Sequence, residues 1–448
     1  MCNEHKVAND ANDTIAAIAT PPGVGGIAIL RVSGPEARRI GGALCGRAAL
    51  ESHRLAYVRL THEGETLDEA MAVLMAAPRS YTREDVLELH CHGGDTACRR
   101  VLEAVLSLGA RPAGPGEFTR RAFENGRVDL SQAEGAMLLI GARGEAATRA
   151  ALRQMDGAVA ARVRQARDRL TAMLAEIAAC TDFPDEIDEA PTADKLIGEA
   201  AALASDLRAA CDARKGRVLE SGLDVVIAGK PNVGKSSLLN ALLGEARAIV
   251  TSQPGTTRDA VRGSVLLSGV RVNLTDTAGL REAEGEAESI GICLARRHME
   301  AADLLFIVLD ASTPLTEEDR RLLDDTQGAP RLVLLNKCDL VSGLDTPHDL
   351  AVSALTGEGI PALRERLAAR ALGAQAGNAL ITQARHVDAA GRAAAFLDDM
   401  ASSLTGGMPV DFAAVDAREA LAALGEITGE NAEESVVDAV FRDFCVGK

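Results

Sequence analysis

The chain has no tryptophan, two tyrosines and eight phenylalanines in 448 residues. Its cores must therefore be filled by Leu, Val, Ile and Ala, which suits α/β sheets and alanine-rich helices. It has no run of 18 apolar residues, so no membrane span is expected. The stretch MCNEHKVANDANDTIAAIATPPG carries acids and no basic region ahead of an apolar one, so it does not read as a signal peptide. Cys-x-x-Cys pairs are also lacking. Nine scattered cysteines fit reduced thiols in a cytoplasm better than a disulfide scaffold. HCHGGDTAC gathers His90, Cys91, His92 and Cys98 without a second ligand pair at zinc spacing. A strand followed by a glycine turn is expected there instead of a metal site.

Positive charge is in short supply too. The net charge is −17, which argues against a general nucleic-acid coat protein. Residues 1–127 hold 15 Lys and Arg against 16 Asp and Glu, a net of −1, so the deficit lies almost wholly in the rest. A polyanion would meet least repulsion at the arginine-rich N-terminal third, which leaves room for a local patch.

At this length two or three domains are expected. TIAAIATPPGVGGIAILRVSG reads as strand, glycine turn, strand. Further β-type runs at 55–60, 70–76 and 86–92 and a helix at 94–108 complete an α+β domain. From about 130 alanine-rich sequence with helical spacing takes over. Pro184, Pro191 and a run of acids in TDFPDEIDEAPTAD are expected to break it, with helix resuming over 193–219. Strand and helix signals then alternate to about 370, a βαβ pattern with a mainly parallel sheet. Helical texture returns to the end. The expected architecture is multidomain: an α+β N-terminal domain (1–127), a discontinuous all-α helical domain (128–217 and 373–448), and an α/β P-loop, Ras-like GTPase domain inserted at 218–372.

GKPNVGKS, Gly229 to Ser236, matches G-x-x-x-x-G-K-[ST] between an apolar strand and a helix, the context that motif requires. Backbone N–H groups of Asn232, Val233, Gly234 and Ser237 would face phosphate. Lys235 would reach the β- and γ-phosphates and the Ser236 hydroxyl would bind Mg²⁺. DTAG (Asp276, Thr277, Ala278, Gly279) follows a strand, where an aspartate supports the magnesium. NKCD supplies Asn336, Lys337 and Asp339. A carboxylate at Asp339 accepts both N–H donors of a guanine edge, so the motif selects GTP over ATP. SAL (Ser353, Ala354, Leu355) is suited to hold the base O6 by backbone N–H. Four elements in order identify a GTPase domain.

The residue after D-x-x-G is Leu280, which cannot orient water as a Ras-type glutamine does. Glu282, Glu284, Glu286 and Glu288 are candidates. For charge stabilisation Arg258, Arg281 or a monovalent cation at Asn232 remain open, with local loop hydrogen bonding as the alternative role for Asn232. TSQPGTTRD could fold over that cation, with Thr257 closing on Mg²⁺.

Together with ATPPGVGGIAILRVSG, EDVLELHCHGG, RPAGPGEFTRRAFENGRVDLSQAE, TDFPDEID and the terminal FCVGK, these motifs resemble the MnmE (TrmE) family of tRNA modification GTPases over nearly the whole chain. The resemblance implies a folate-binding, dimerising N-terminal domain and a homodimer whose G domains meet. It also implies a heterotetramer with the FAD-dependent subunit MnmG. The complex would add an aminomethyl-type group at carbon 5 of wobble uridine in tRNA, with the one-carbon unit from 5-formyl- or methylene-tetrahydrofolate. Hydrolysis would be K⁺-stimulated. Asn232, Thr251, Gln253 and Thr256 resemble the K⁺ ligands, within a loop that also includes Ser252, Pro254 and Gly255. Ser236 and Thr257 resemble the Mg²⁺ ligands, and Glu288 the residue that positions water.

For the folate, Arg31, Glu88 and Arg127 match family positions, although lysine is commoner at the last. Arginine keeps the charge but replaces a point charge by a planar fork. In the family the tail folds back to the folate pocket, where Lys448 contacts the cofactor and Cys445 takes part in the chemistry. Nearby cations would favour its thiolate. Tyr57, Tyr81, Phe118 and Phe123 are the aromatics near enough to stack on a folate ring. A second reading is a GTPase switch assisting ribosome assembly. It would call for a second G domain or a KH-like domain with a GXXG loop in a basic setting, and the C-terminal sequence here is acidic instead.

Overall fold

The structure, a computed structural model, describes residues 13–46, 50–244, 262–276, 297–341, 346–372 and 380–448. The chain forms two compact units. One comprises Met1–Met137, Gln154–Gln165 and Ala422–Lys448; the other comprises Leu138–Arg153 and Ala166–Leu421.

The first unit is built on a sheet of β1 (Ile15–Ile18), β2 (Ile27–Ser33), β3 (Ala56–His62), β4 (Glu65–Met75), β5 (Val86–His92) and β6 (Arg111–Pro112). The strand order is β3-β4-β5-β2-β1-β6. Alternation along the strands sorts their side chains to two faces. Leu30, Val32, Leu87 and Leu89 point to one face, where Ile40, Leu44, Val101 and Val105 of helices Ala37–Cys45 and Asp95–Ser107 cover them. Arg31 and Glu88 are directly opposed in the β2–β5 register and lie between those apolar positions. Their alternation sends them to the other face, where Ile15, Ala17, Phe118 and Tyr81 cluster. A separate cluster of Leu130, Ala133, Phe441 and Phe444, with Phe123 packed on it, fastens the C-terminal helix Glu434–Arg442.

In the second unit β7 (Leu223–Ala228), β8 (Arg262–Leu267), β9 (Val270–Asp276), β10 (Leu304–Asp310), β11 (Arg331–Asn336) and β12 (Leu350–Ala351) form one sheet. Its order is β12-β11-β10-β7-β9-β8. All pairings are parallel except the β8–β9 hairpin. Central β10, LLFIVLD, is buried along nearly its whole length, the signature of a strand covered on both faces. The β-strands end at the edge that carries the nucleotide motifs, as the topology of open parallel sheets dictates.

Helices Glu189–Ala210 and Ala384–Thr405 pack side by side in this unit. Ala200, Ala204, Ala389, Ala390 and Ala393 are all buried, so the small side chains expected from composition let two helices approach closely. Two expectations are corrected here. Pro191 does not break helix: it sits in the first turn of Glu189–Ala210, where a missing N–H costs nothing. The helix expected over 193–219 is split, because Cys211 leaves helical geometry to form a bridge with Ile381.

Candidate functional site

The nucleotide motifs converge at the ends of β7, β9, β10 and β11. The helix Lys235–Gly244 begins directly after the Gly229–Gly234 turn. Lys235 is only 6% exposed, and its ammonium donates to the Lys230 carbonyl at 2.7 Å. The Ser236 hydroxyl donates to Asp276 Oδ2 at 2.6 Å, and Asp276 is buried at the end of β9. A hydroxyl and a carboxylate in contact are the hard oxygen donors that suit Mg²⁺, so these residues fit that ion.

Asn336 ties three motifs together. Its Nδ2 donates to the Val233 carbonyl at 2.8 Å, and its Oδ1 accepts from the Ala354 N–H at 3.0 Å. Gly234 has φ +97°, and a Cβ there would lie 2.2 Å from Asn336 Nδ2. Both the backbone region and the close approach demand glycine. Lys337, at φ +65°, reaches Asp310 Oδ2 at 2.5 Å. Burial opposes charge on Asp310, but the Lys337 and Ser312 bonds outweigh it and hold the carboxyl below its ordinary value. Asp339 stands exposed on the 3-10 turn Cys338–Leu340, Ser353 is fully buried, and Leu355 is exposed. Asn232 and Ser237 are exposed, and Asn232 has φ +65°, a region asparagine enters more readily than most residues. The expected Thr251, Ser252, Gln253, Pro254, Gly255, Thr256, Thr257, Thr277, Ala278, Gly279 and Glu288 lie outside the described residues.

A second constellation forms in the other unit. The Arg31 guanidinium donates to Glu88 Oε1 from Nε at 2.9 Å, with Nη2 at 2.8 Å from the same oxygen. Its Nη1 donates to the carbonyl of Gly447 at 3.1 Å. This ties β2 to the extreme tail. Arg31 lies over the rings of Tyr81 and Phe118, 5.7 and 5.6 Å from their centroids. Arg127 approaches the Tyr81 ring to 4.8 Å and donates to the Tyr81 carbonyl at 3.3 Å. The tail itself is gripped by the segment before helix Glu117–Glu124. Pro115 bridges Val446, and the Gly116 N–H donates to the Cys445 carbonyl at 3.4 Å. Gly116 has φ +66°, and a Cβ there would meet the Phe441 carbonyl at 2.6 Å. Cys445 is exposed, Gly447 buried and Lys448 half-buried.

The chain matches the MnmE helical domain over residues 130–445 and the N-terminus of the GTP-binding protein TrmE over residues 14–127. The chain belongs to the MnmE family of tRNA modification GTPases. It is 44% identical to the tRNA modification GTPase MnmE of Geobacter sulfurreducens, over 97% of this chain and 99% of that protein. It is 46% identical to the Chloroflexus aurantiacus protein of the same name, over 98% and 100% respectively. The G domain of the T. maritima FeoB iron transporter aligns at 30% identity over 33% of this chain and 98% of that one, with a TM-score of 0.26. As an MnmE family member the chain is a GTP hydrolase of tRNA modification, which decides against the ribosome-assembly switch. It combines an α+β N-terminal part, a helical part and a P-loop GTPase fold. Among the described residues no helix is long and apolar enough to cross a membrane.

Some residues of these MnmE-family sites were invisible in the sequence. Of four candidate aromatics, Tyr81 and Phe118 stand under the arginines, while Tyr57 is exposed on β3 and Phe123 packs in the tail-helix cluster. A network of largely buried charges likewise leaves no mark in the sequence pattern. Arg111 Nη1 donates to Glu117 Oε2 at 2.9 Å, the same oxygen accepts the Gly114 N–H at 2.8 Å, and Arg121 reaches Glu84 at 3.2 Å. All of these residues but Glu84 lie within RPAGPGEFTRR, and nothing in that string reveals the pairing.

Proposed function

We propose that the chain is the GTPase subunit of a cytoplasmic complex with an FAD-dependent partner, MnmG. The complex adds an aminomethyl-type group at carbon 5 of the wobble uridine of tRNA, using a one-carbon unit from 5-formyl- or methylene-tetrahydrofolate. The observation that carries this reading is the meeting of Arg31, Glu88, Arg127 and the tail around Tyr81. A reduced pterin offers an N–H pair that a carboxylate such as Glu88 can accept and a flat ring for Tyr81 or Phe118. Its glutamyl tail offers carboxylates suited to Arg127 and Lys448. The Cys445 thiol lies on the same tail, exposed, as the nucleophile of that chemistry.

At the nucleotide site, Lys235 neutralises phosphate charge, and Ser236 with Thr257 holds Mg²⁺. Asn232, Thr251, Gln253 and Thr256 hold K⁺ in place of an arginine finger, and Glu288 orients the attacking water. The active form is a homodimer within a heterotetramer. GTP turnover in KCl and NaCl at equal ionic strength tests the cation, with wild type and Glu288→Ala compared. Strong potassium stimulation, with turnover lost in the variant, is expected; equal rates in both salts would remove the K⁺ assignment. Titration with 5-formyl-tetrahydrofolate tests the other site: binding is expected for wild type and not for Arg31→Ala.

A further inference from the structure

We propose that Asp310 and Asp319 are positioning residues for nucleotide binding. From one short segment they hold the two lysines, Lys337 and Lys230, that flank the GTP site. The inference rests on the GTPase activity itself and not on the folate reading.

Asp310 ends β10, and helix Glu317–Asp325 begins a few residues later. The carboxylate of Asp310 is fully committed. Oδ1 accepts the Ser312 N–H at 2.9 Å and the Ser312 hydroxyl at 2.6 Å, while Oδ2 takes the Lys337 ammonium at 2.5 Å. Lys337 precedes the guanine-reading Asp339 and adopts φ +65°, a conformation that costs a lysine free energy and persists only where its surroundings enforce it. The ion pair to Asp310 is such a constraint.

Asp319 plays the matching part for the phosphate loop. It is the third helical residue of a capping box with Thr316, whose N–H donates to Asp319 Oδ2 at 2.9 Å. The same oxygen accepts Lys230 Nζ at 2.6 Å, in a pair whose side chains are 17% and 4% exposed for Lys230 and Asp319. Oδ1 is buried with no partner among the described residues. A neutral amide could complete a capping box. A buried carboxylate with one unsatisfied oxygen is costly, and here it is matched to a lysine. The Lys230 carbonyl in turn holds the Lys235 ammonium. Asp319 therefore acts on the phosphate-binding lysine through Lys230, and Asp310 acts on the base-reading turn through Lys337.

The two arms have different signatures, which a purely structural role would not produce. Affinity is measured on the full chain for GDP and for IDP, which lacks the 2-amino group read by Asp339, with the thermal midpoint of the nucleotide-free protein alongside. Lys230→Met should weaken both nucleotides about tenfold, the scale of one charged hydrogen bond, without changing the GDP to IDP ratio. Lys230→Arg should restore most of the loss. Asp319→Asn should resemble Lys230→Met, and the double variant should lose no more than either alone. Asp310→Asn should weaken GDP more than IDP and so narrow the ratio. Wild-type GDP affinity in Lys230→Met and Asp310→Asn would overturn the proposal, as would a loss in Asp310→Asn that simply follows a lowered thermal midpoint with no change in the ratio.

Discussion

The two sites are assembled in opposite ways. The nucleotide site gathers short contiguous motifs, each already complete in sequence, at the ends of parallel strands. The tail site has no contiguous core. Arg31 and Gly447 are separated by 416 positions and meet in one hydrogen bond. Backbone N–H groups do much of the work in a phosphate loop, so its requirement is written locally as glycines and a helix start. A pocket made from side chains of a sheet face and a chain end has no such local grammar.

This contrast can be broken experimentally. The largest effect is expected from Lys235→Ala, which should weaken GTP binding and turnover about a hundredfold or more, given the loss of several charge-assisted bonds to phosphate. Titration with 5-formyl-tetrahydrofolate should be unaffected. A parallel loss of folate binding would show that the two sites are coupled instead of separately built.

Next comes Arg31→Ala. It leaves Glu88, 16% exposed in its side chain, without its arginine partner and with only His90 Nε2 at 3.4 Å, and it frees the tail. Denaturant unfolding of the first unit should lose about 2 kcal/mol, less than a fully buried pair because both groups retain some solvent. GTP turnover of the isolated protein should stay at the wild-type rate. A stability change below the scatter of the measurement would mean that the Arg31–Glu88–Gly447 connection holds nothing together.

Gly116→Ala sharpens the point at smaller scale. The new Cβ would need the left-handed backbone region and would collide with the Phe441 carbonyl, so tail docking should weaken by about 1–3 kcal/mol. Site-resolved alkylation by mass spectrometry reads this directly. Exposed Cys445 should react quickly in the wild type and faster in the variant. Cys91, whose thiol is pushed up to about 12 chiefly by burial, should stay protected in both. Equal protection of Cys445 before and after substitution would sever the link between Gly116 and the tail.

The smallest expected effect is acid sensitivity. Burial disfavours charge on Glu117, but the Arg111 bond and the Gly114 N–H outweigh it, so its carboxyl is held below the ordinary value of 4.5. A depressed carboxyl contributes its full stability above the unfolded value and loses it as pH falls through the folded one. The Glu117 contribution to the denaturant stability of the first unit should thus be constant from neutral pH down to about 4.5 and decline below it. In Glu117→Gln that decline should shrink. An unchanged acid profile in the variant would assign the titration elsewhere.

Much of the molecule was legible without coordinates. The strand–glycine turn–strand opening, the β5 strand into helix Asp95–Ser107 and the mainly parallel sheet follow from periodicity and punctuation. Pro191 misled, because a proline breaks a helix interior but is tolerated in a first turn, and the sequence does not say where that turn begins.

The sequence by itself determined a GTPase. The phosphate loop and the guanine motif each gather their groups within a few residues, and that spacing alone implies the chemistry. Tertiary structure alone decided that Tyr81 and Phe118 lie beneath Arg31, that Glu117 braces the loop gripping the tail, and that Asp310 and Asp319 back the nucleotide motifs. Charged partners are chosen by proximity in the folded chain, and an acidic residue in sequence looks the same whether it will face water or a buried lysine.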